Sequence, residues 1–215
     1  MILSASQIRC RLSMEFPRKL VITPLLDEPR QLSPGAAAVD LRLGQEMMAA
    51  KPAMLTYLGP LENQDELLRG YLHRSYLPLG AEFILHPRQF ALAATLEYIR
   101  LPQGLAGHVV GRSRWARVGL IIAMATFVHP GYCGCLTLEL QNLGDVPMRL
   151  SPGFTIAQLI LEEVGFSNES DPDQLTCAVG PEFRELMSIA ECKKLLELGE
   201  KRRLRTGDDW GQPAQ

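Results

Sequence analysis

The chain has 215 residues, of which 47% are hydrophobic, so it can bury the core of one domain with an extension. Its formal net charge of −2 provides no overall positive field for long nucleic acids. The longest mainly apolar run, residues 120–128, is far shorter than the ~20 residues of a membrane span, and the first ten residues lack a secretion-signal pattern. We therefore expect a cytoplasmic protein that binds neither membranes nor long nucleic acids.

The cysteines are scattered and odd in number, which favours reduced thiols over a disulfide framework: Cys10, Cys133, Cys135, Cys177 and Cys192. Only Cys133 and Cys135 lie close together, and no second pair of cysteines or histidines stands nearby at the spacing of a zinc site. We expect no structural metal.

The first 44 residues predict one helix and two strands. Ser4 can cap a helix that runs to Leu12, and Gln7 completes a capping box. The run LVITPLL, residues 20–26, contains a proline and predicts an edge or irregular strand. The run LSPGAAAVDLRLG, residues 32–44, alternates apolar and polar side chains after a Pro-Gly turn, which predicts a half-buried strand.

The middle of the chain predicts an antiparallel β architecture. Residues 45–80 are the least regular part and suggest short strands with an acidic, partly helical insertion. From residue 81 onwards, short strand-like runs are separated by glycine and proline turns, with no helices alternating between them: EFILHP, QFALAATLEYIRLP, GLAGHVVGRS, LIIAMATFV, CLTLELQNLG, MRLSPG and TIAQLILEEV. This pattern is typical of a sandwich or barrel.

The composition changes after Gly165. A polar linker, SNESDPDQ, precedes a predicted helix over residues 180–204, whose basic residues we interpret as a solvated face. We predict a β domain over residues 1–165 and a linker with a helical extension over residues 166–215.

Residues 111–117, GRSRWAR, are called the arginine turn below. Arginine between two apolar strands is costly unless an anion pairs with its guanidinium. A strand that ends in a turn and begins a helix can direct backbone N–H groups, a serine hydroxyl and two guanidinium groups at one phosphate chain. We favour this function for Arg112, Ser113 and Arg117; for Arg114 we favour the alternative, a surface arginine paired with a carboxylate.

Three further residues could carry chemistry. Glu139 follows Cys135 and Thr137 on one face of a predicted strand; it could shuttle protons or be a solvated outer-face residue, and its position leaves both open. Asp40 is best interpreted as the partner of an arginine. His129 opens a Pro-Gly turn and is either exposed or faces the same cleft as the arginine turn. The motifs of P-loop and Rossmann nucleotide sites, serine hydrolases and zinc deaminases are absent.

Together, the segments GRSRWARVGL, HPGYCGCLTLELQN and LSPGFTIAQLI resemble the dCTP deaminases of the trimeric dUTPase-like superfamily. Upstream segments resemble the same family in order and spacing, so the similarity covers roughly residues 1–164. The resemblance implies a mainly β, distorted jelly-roll barrel that assembles as a homotrimer with active sites between subunits. It also implies zinc-independent deamination of dCTP to dUTP and ammonia, with Mg²⁺ accompanying the triphosphate.

The resemblance also implies roles for individual residues. Glu139 matches the catalytic glutamate that relays protons between the attacking water and the pyrimidine. Ser113 and Arg117 match residues that position the water and polarise the base. The predicted nucleotide-binding residues are Arg112 at the phosphates, Arg114 in place of the motif's second serine, Ala125 where backbone groups read the base, His129 where an aspartate usually meets the deoxyribose, and Gln158 in the late block.

Two alternatives stay open beside the enzyme. Trp115 replaces a smaller apolar residue, His129 replaces the usual aspartate, and residues 166–215 lack the family's closing Tyr, Lys-Tyr and Gln motif. These differences allow a non-catalytic nucleotide sensor or scaffold, or a dUTP diphosphatase.

Overall fold

The computed structural model describes residues 1–50, 71–122, 127–165 and 178–181. Nearly all of them belong to one compact unit, Met1–Ala50 with His73–Glu182. A second unit, Lys51–Leu72 with Phe183–Gln215, lies almost wholly outside the described residues. Most of the predicted acidic insertion, the polar linker and the C-terminal helix falls in the undescribed parts, so the predicted division of the chain at residue 165 stays a prediction.

The described residues are mainly β. The helices are α1 (Ala5–Ser13), α2 (Glu28–Gln31) and α3 (Ser113–Ala116). The strands are β1 (Val21–Thr23), β2 (Val39–Ala50), β3 (Leu72–Tyr76), β4 (Phe83–Leu85), β5 (Phe90–Arg100), β6 (Leu105–Gly111), β7 (Leu120–Ile122), β8 (Phe127–Val128), β9 (Cys133–Asn142), β10 (Met148–Leu150) and β11 (Thr155–Glu163).

The N-terminal helix begins as predicted. The Ser4 side chain accepts a hydrogen bond from the backbone N–H of Gln7, and the Gln7 side chain accepts one from the backbone N–H of Ser4. This reciprocal capping box satisfies N–H groups that have no partner inside the helix. Ala5 and Ile8 are buried, so one face of α1 packs on the core.

Within the described residues, nine strands form one antiparallel sheet. Its main order is β7-β9-β5-β2-β11-β6-β8, with β1 added beside β5 and β3 beside β2. Strands β4 and β10 form a separate pair. The predicted antiparallel arrangement is confirmed. The predicted strand within LIIAMATFV is instead two short strands, because β7 pairs with β9 whereas β8 pairs with β6.

The sheet curls, and the arginine turn joins β6, next to one end of the strand order, to β7 at the other end. In a flat sheet, the five strand spacings from β7 to β6, at ~4.8 Å each, would place these strands about 24 Å apart. A β-carbon built on Gly111 at the end of β6 would instead lie 3.9 Å from Cγ1 of Ile122 in β7. The strand order and this close approach together require a curled, half-barrel sheet.

Alternation along β2 supplies one wall of the core. Val39, Leu41 and Leu43 are buried, while the intervening Asp40 and Arg42 are partly exposed, as predicted. The strand continues to Ala50, past the predicted end at Gly44. The short helix α2 was not predicted.

A buried carboxylate lies between β2 and β5. Glu97 is fully buried and accepts hydrogen bonds from Arg42 Nε at 2.7 Å, the backbone N–H of Arg42 at 2.8 Å and Gln31 Nε2 at 3.0 Å. Nearby, burial first and then the carboxylates of Glu97 and Glu46 raise the pKa of the Cys135 thiol. Cys135 therefore stays a protonated, unreactive thiol at neutral pH.

Candidate nucleotide site

The arginine turn has the predicted strand-turn-helix form. β6 ends at Gly111, Arg112 has extended backbone at the N-cap, and α3 follows as a four-residue helix. The backbone N–H of Arg117 donates to the carbonyl of Ser113, which closes the helix. The residues of the turn therefore project from a short, defined segment.

Asp40 joins two of the predicted nucleotide-binding residues. Its Oδ1 accepts a hydrogen bond from Arg112 Nη1 at 2.7 Å and another from Gln158 Nε2 at 3.0 Å. Gln158 and Asp40 are direct cross-strand partners on β11 and β2, so their side chains lie side by side. The prediction that Asp40 pairs with an arginine is confirmed, and the partner is Arg112, whose guanidinium is thereby held in one orientation.

Three other side chains of the arginine turn are free to meet a ligand. Ser113, Arg114 and Arg117 are exposed. Their side chains have no hydrogen bond or ion pair with any of the described residues. The surface position predicted for Arg114 is confirmed, but no carboxylate in the described part of the chain pairs with it. Within the described part of the chain, the turn therefore presents a hydroxyl and two guanidinium groups without a counter-ion beside the ion-paired Arg112.

Glu139 lies on β9, the strand that pairs with β7 just beyond the turn. It is half-buried, lies opposite Leu92 of β5, and alternates with the buried Leu138 and Leu140 as predicted. The described residues give it no hydrogen bond or ion pair, and none joins it to Ser113 or Arg117. Ala125, predicted to read the base, lies outside the described residues.

His129 lies apart from the Asp40 cluster. It is exposed, immediately after β8, and its ring makes an edge contact with Phe127 at a centroid distance of 4.7 Å. Phe127 in turn contacts His108, whose Nε2 lies 3.1 Å from Oε1 of Glu162. His129 is thus exposed in the single chain, and its place in a nucleotide site stays a prediction.

Two residues have structural roles that the sequence patterns do not predict. Trp115 donates from Nε1 to the carbonyl of Thr155 at 2.9 Å, which ties α3 to β11. Glu97 is predicted only as part of a strand, yet it is buried and paired with Arg42. The pattern that indicates this role is alternation: Glu97 falls on the same inward face of an apolar strand as Thr95 and Ile99. A carboxylate buried on that face needs a buried partner.

The described residues contain no group of three or more His, Cys, Asp or Glu side chains placed to hold a metal ion. In the same part of the chain, no helix is long and apolar enough to cross a membrane.

Comparison with solved structures identifies the fold. A crystal structure of 2′-deoxycytidine 5′-triphosphate deaminase from Agrobacterium tumefaciens matches with a TM-score of 0.56 and 22% identity, over 76% of this chain and 48% of that one. The match thus spans about half of the Agrobacterium chain. It confirms the predicted mainly β fold.

Sequence comparison identifies the family. The family model described as dCTP deaminase-like matches residues 2–164. A relative from Methanobrevibacter smithii, named dCTP deaminase, dUMP-forming, is 41% identical over 145 residues, which are 67% of this chain and 72% of the relative. The dCTP deaminase of Natronomonas pharaonis is 41% identical over 165 residues, which are 76% of this chain and 81% of the relative. The chain therefore belongs to the dCTP deaminase-like family.

Proposed function

We propose that this protein hydrolyses the bond between C4 and the exocyclic amine of dCTP, or of a close cytosine nucleotide, to give dUTP and ammonia. The observation that carries the proposal is the arginine turn, which holds Arg112 in place and leaves the Ser113 hydroxyl and the Arg117 guanidinium unpartnered among the described residues. Similar proteins named dCTP deaminase support the same activity. A triphosphate and a planar base supply the negative charge and hydrogen-bond acceptors that such a turn can bind.

The binding residues divide between phosphates, sugar and base. Arg112, Arg114 and the Ser113 hydroxyl bind the triphosphate, and Gln158 supports Arg112 through Asp40. In this proposal His129 contacts the deoxyribose, and backbone groups at Ala125 read the base.

Glu139 moves the protons of the reaction. Its carboxylate takes a proton from a water held by Ser113 and Arg117 while the water oxygen bonds to C4 of the cytosine. Glu139 passes this proton to the ring nitrogen N3, which gives a tetrahedral C4 bearing both hydroxyl and amine. Glu139 then takes the proton of the C4 hydroxyl and passes it to the amine, the C4–N bond breaks, and ammonia leaves as the C4 carbonyl forms. Atoms and charges balance without a redox cofactor or zinc.

Mg²⁺ belongs with the substrate in this proposal. It prefers near-octahedral oxygen ligands, keeps several waters and often binds through substrate phosphates. The described residues offer no cluster of carboxylates for a resident ion. Phosphate oxygens and waters therefore supply its ligands.

We also propose a cytoplasmic homotrimer with active sites between subunits. Several large apolar residues near the turn are exposed in the single chain, including Val110, Val118, Ile121 and Phe127. Clustered exposed apolar side chains are typical of surfaces that another protein covers. Burial of these residues between copies would bring Glu139 of one chain near the arginine turn of the next.

The direct test is incubation of the purified protein with dCTP and Mg²⁺. We expect stoichiometric ammonia and a uracil nucleotide. Glu139→Gln should abolish turnover and leave dCTP binding largely intact, because the amide keeps the size of the side chain but cannot carry protons. Glu82→Gln, at an exposed ion pair with Arg149, is the matched control and should turn over normally. A folded parent protein that releases no ammonia would disprove the proposal.

Identification of the nucleotide product distinguishes a dUTP-forming enzyme from a dUMP-forming one. Some relatives are named dUMP-forming, which adds diphosphate release to deamination. Because His129 replaces the aspartate expected there, we predict dUTP without pyrophosphate. Chromatography of the nucleotide with a coupled pyrophosphate assay checks this, and pyrophosphate equal to ammonia would contradict it.

A second candidate function is a non-catalytic nucleotide sensor, because His129 stands where the family usually has an aspartate. A ligand that binds only the folded state raises its stability. Thermal shift with dCTP in the absence of ammonia release would support the sensor over the enzyme.

A further inference from the structure

Trp115 lies at the centre of the arginine turn, and the roles above leave it unused. Its Nε1 donates to the carbonyl of Thr155 at 2.9 Å, and its ring stacks on Phe154 with centroids 6.0 Å apart and an interplanar angle of 27°. The side chain is partly buried and packs against the core. A hydrogen bond, a ring contact and core packing among the described residues therefore hold Trp115, while Ser113 and Arg117 on the same turn are exposed.

The start of β11 is shaped to receive this side chain. The register between β11 and β2 shifts between Thr155 and Ala157, so the ladder is irregular there. The next carbonyl, that of Ile156, accepts a hydrogen bond from the backbone N–H of Arg112 at 2.9 Å. Two successive carbonyls of β11 thus hold the entry and the centre of the arginine turn, which determines both the position and the rotation of α3.

The exit from the turn is also held. Gly119 has φ of +95°, and a β-carbon built on it would lie 2.6 Å from the backbone nitrogen of Gly144. The backbone N–H of Leu143 donates to the carbonyl of Gly119 at 2.8 Å. Because a four-residue helix has little stability of its own, removal of the central contact would leave α3 held only at its ends.

We propose that Trp115 is a positioning residue that holds α3 so that Ser113 and Arg117 face the nucleotide in productive geometry. The identity of that nucleotide rests on the function proposed above. Trp115 acts through the other two side chains and does not touch the reacting atoms. Small misplacements of catalytic groups are costly, because a shift of ~1 Å can lower a rate by about 10²-fold.

Two variants separate the hydrogen bond from the ring contact. Trp115→Phe keeps an aromatic ring against Phe154 but removes the donor, and Trp115→Leu removes both. Loss of one neutral hydrogen bond corresponds to a fall of about 3–10-fold in kcat/KM for Trp115→Phe. The kcat/KM of Trp115→Leu should fall further, because this variant loses both contacts. Phe154→Leu, which keeps the hydrogen bond, should resemble Trp115→Phe.

The kinetic measurements are made well below the Tm of each variant, so that all are folded. A residue that only stabilises the fold would lower Tm and leave kcat and KM of the folded protein unchanged. Parental kcat and KM in both Trp115 variants would therefore overturn the proposal, whatever the change in Tm.

A second readout does not depend on turnover. The chain has two tryptophans, so a Trp210→Phe background leaves Trp115 as the sole fluorophore. Titration with inorganic tripolyphosphate should change the emission saturably, and Arg114→Ala should weaken that response. By calorimetry, Trp115→Phe should bind tripolyphosphate about 3–10-fold more weakly than the parent.

The two proposals fail in different ways. If the parent binds tripolyphosphate but releases no ammonia from dCTP, the proposed enzyme is wrong and the role of Trp115 is judged by affinity alone. Equal tripolyphosphate affinity of parent and Trp115→Phe then overturns the role of Trp115. A parent that binds neither dCTP nor tripolyphosphate overturns both the phosphate role of the turn and the role of Trp115.

Discussion

A single carboxylate oxygen of Asp40 accepts hydrogen bonds from two predicted site residues. Its partners Arg112 and Gln158 come from α3's N-cap and β11, so this one side chain connects three segments. The Arg112 and Asp40 side chains are only 24% and 16% exposed, which limits screening of the pair by solvent. Asp40 thus positions Arg112 and also neutralises its charge, and among the described residues no carboxylate neutralises Arg114 or Arg117.

Asp40→Asn should lower the free energy of unfolding by about 1.5–3 kcal/mol, because a charge-assisted hydrogen bond becomes a neutral one in a partly buried site. Urea denaturation followed by circular dichroism measures the change. The matched control is Asp27→Asn, whose partner Arg30 is 89% exposed and lies 3.4 Å away. The control should change stability by less than about 0.5 kcal/mol. Equal effects at the two sites would contradict this account of Asp40.

The Cys135 thiol predicts a loss of stability at alkaline pH. Its pKa in the folded state is raised, by burial first and then by Glu97 and Glu46, from the ordinary value of 9.0. As pH rises through about 9, the unfolded chain loses this proton before the folded state does, so the fold loses stability. Below that range the contribution is fully present.

Thermal unfolding of the parent and of Cys135→Ala across pH 7 to about 10.5 tests this thiol. The Tm of the parent should fall more steeply above about pH 9 than that of Cys135→Ala. Cys10 is exposed, so Cys10→Ala should follow the parental slope. Parallel curves for parent and Cys135→Ala would disprove the prediction.

At the scale of elements, β5 is irregular where it carries Glu97. Its register with β9 shifts between Ala94 and Tyr98, so backbone groups there lose their ladder partners. The Thr95 hydroxyl donates to the carbonyl of Glu97 and accepts from the backbone N–H of Leu136. Side chains thus replace ladder bonds, which explains why a threonine and a glutamate lie inside an apolar strand.

Glu97→Gln should lower the free energy of unfolding by about 3–5 kcal/mol, because it leaves the Arg42 guanidinium without its buried counter-ion. Chemical denaturation measures the loss. The double variant Arg42→Met with Glu97→Gln should cost less than the sum of the two single variants. Strict additivity would mean that the two side chains do not act as a pair. The exposed pair Arg149 and Glu82 provides the control, and Glu82→Gln should be nearly neutral.

At the scale of the whole molecule, the proposed assembly makes the site depend on two chains. A homotrimer would have a mass of about 72 kDa, three times the chain mass of 23.9 kDa, by sedimentation equilibrium.

Active sites shared between subunits allow two inactive variants to complement each other. Glu139→Gln and Arg117→Ala, refolded together in equal amounts, should regain about a quarter of the parental activity, because one in four random interfaces combines both intact residues. Each variant refolded alone is the control. A mixture with no regained activity would place both residues in one chain's site.

Local patterns in the sequence were enough for most of the fold. The capping box at Ser4 and the alternation along β2 and β9 depend on near neighbours, and the structure confirms them. The division of LIIAMATFV between two strands could not be read from it, because each half pairs with a segment distant in sequence. For the same reason, the continuation of β2 to Ala50 was missed, since pairing with β5 extends it.

The candidate site likewise has features that local sequence determines and features that depend on contacts between distant segments. The sequence by itself determined the family, the strand-turn-helix form of the arginine turn and the face of β9 that carries Glu139, because backbone propensity and side-chain alternation are local. Only the tertiary structure decided that Arg112 and Gln158 share Asp40 and that Trp115 joins α3 to β11. These contacts join residues far apart in the chain, brought together because β2, β11 and β6 pair side by side in the sheet.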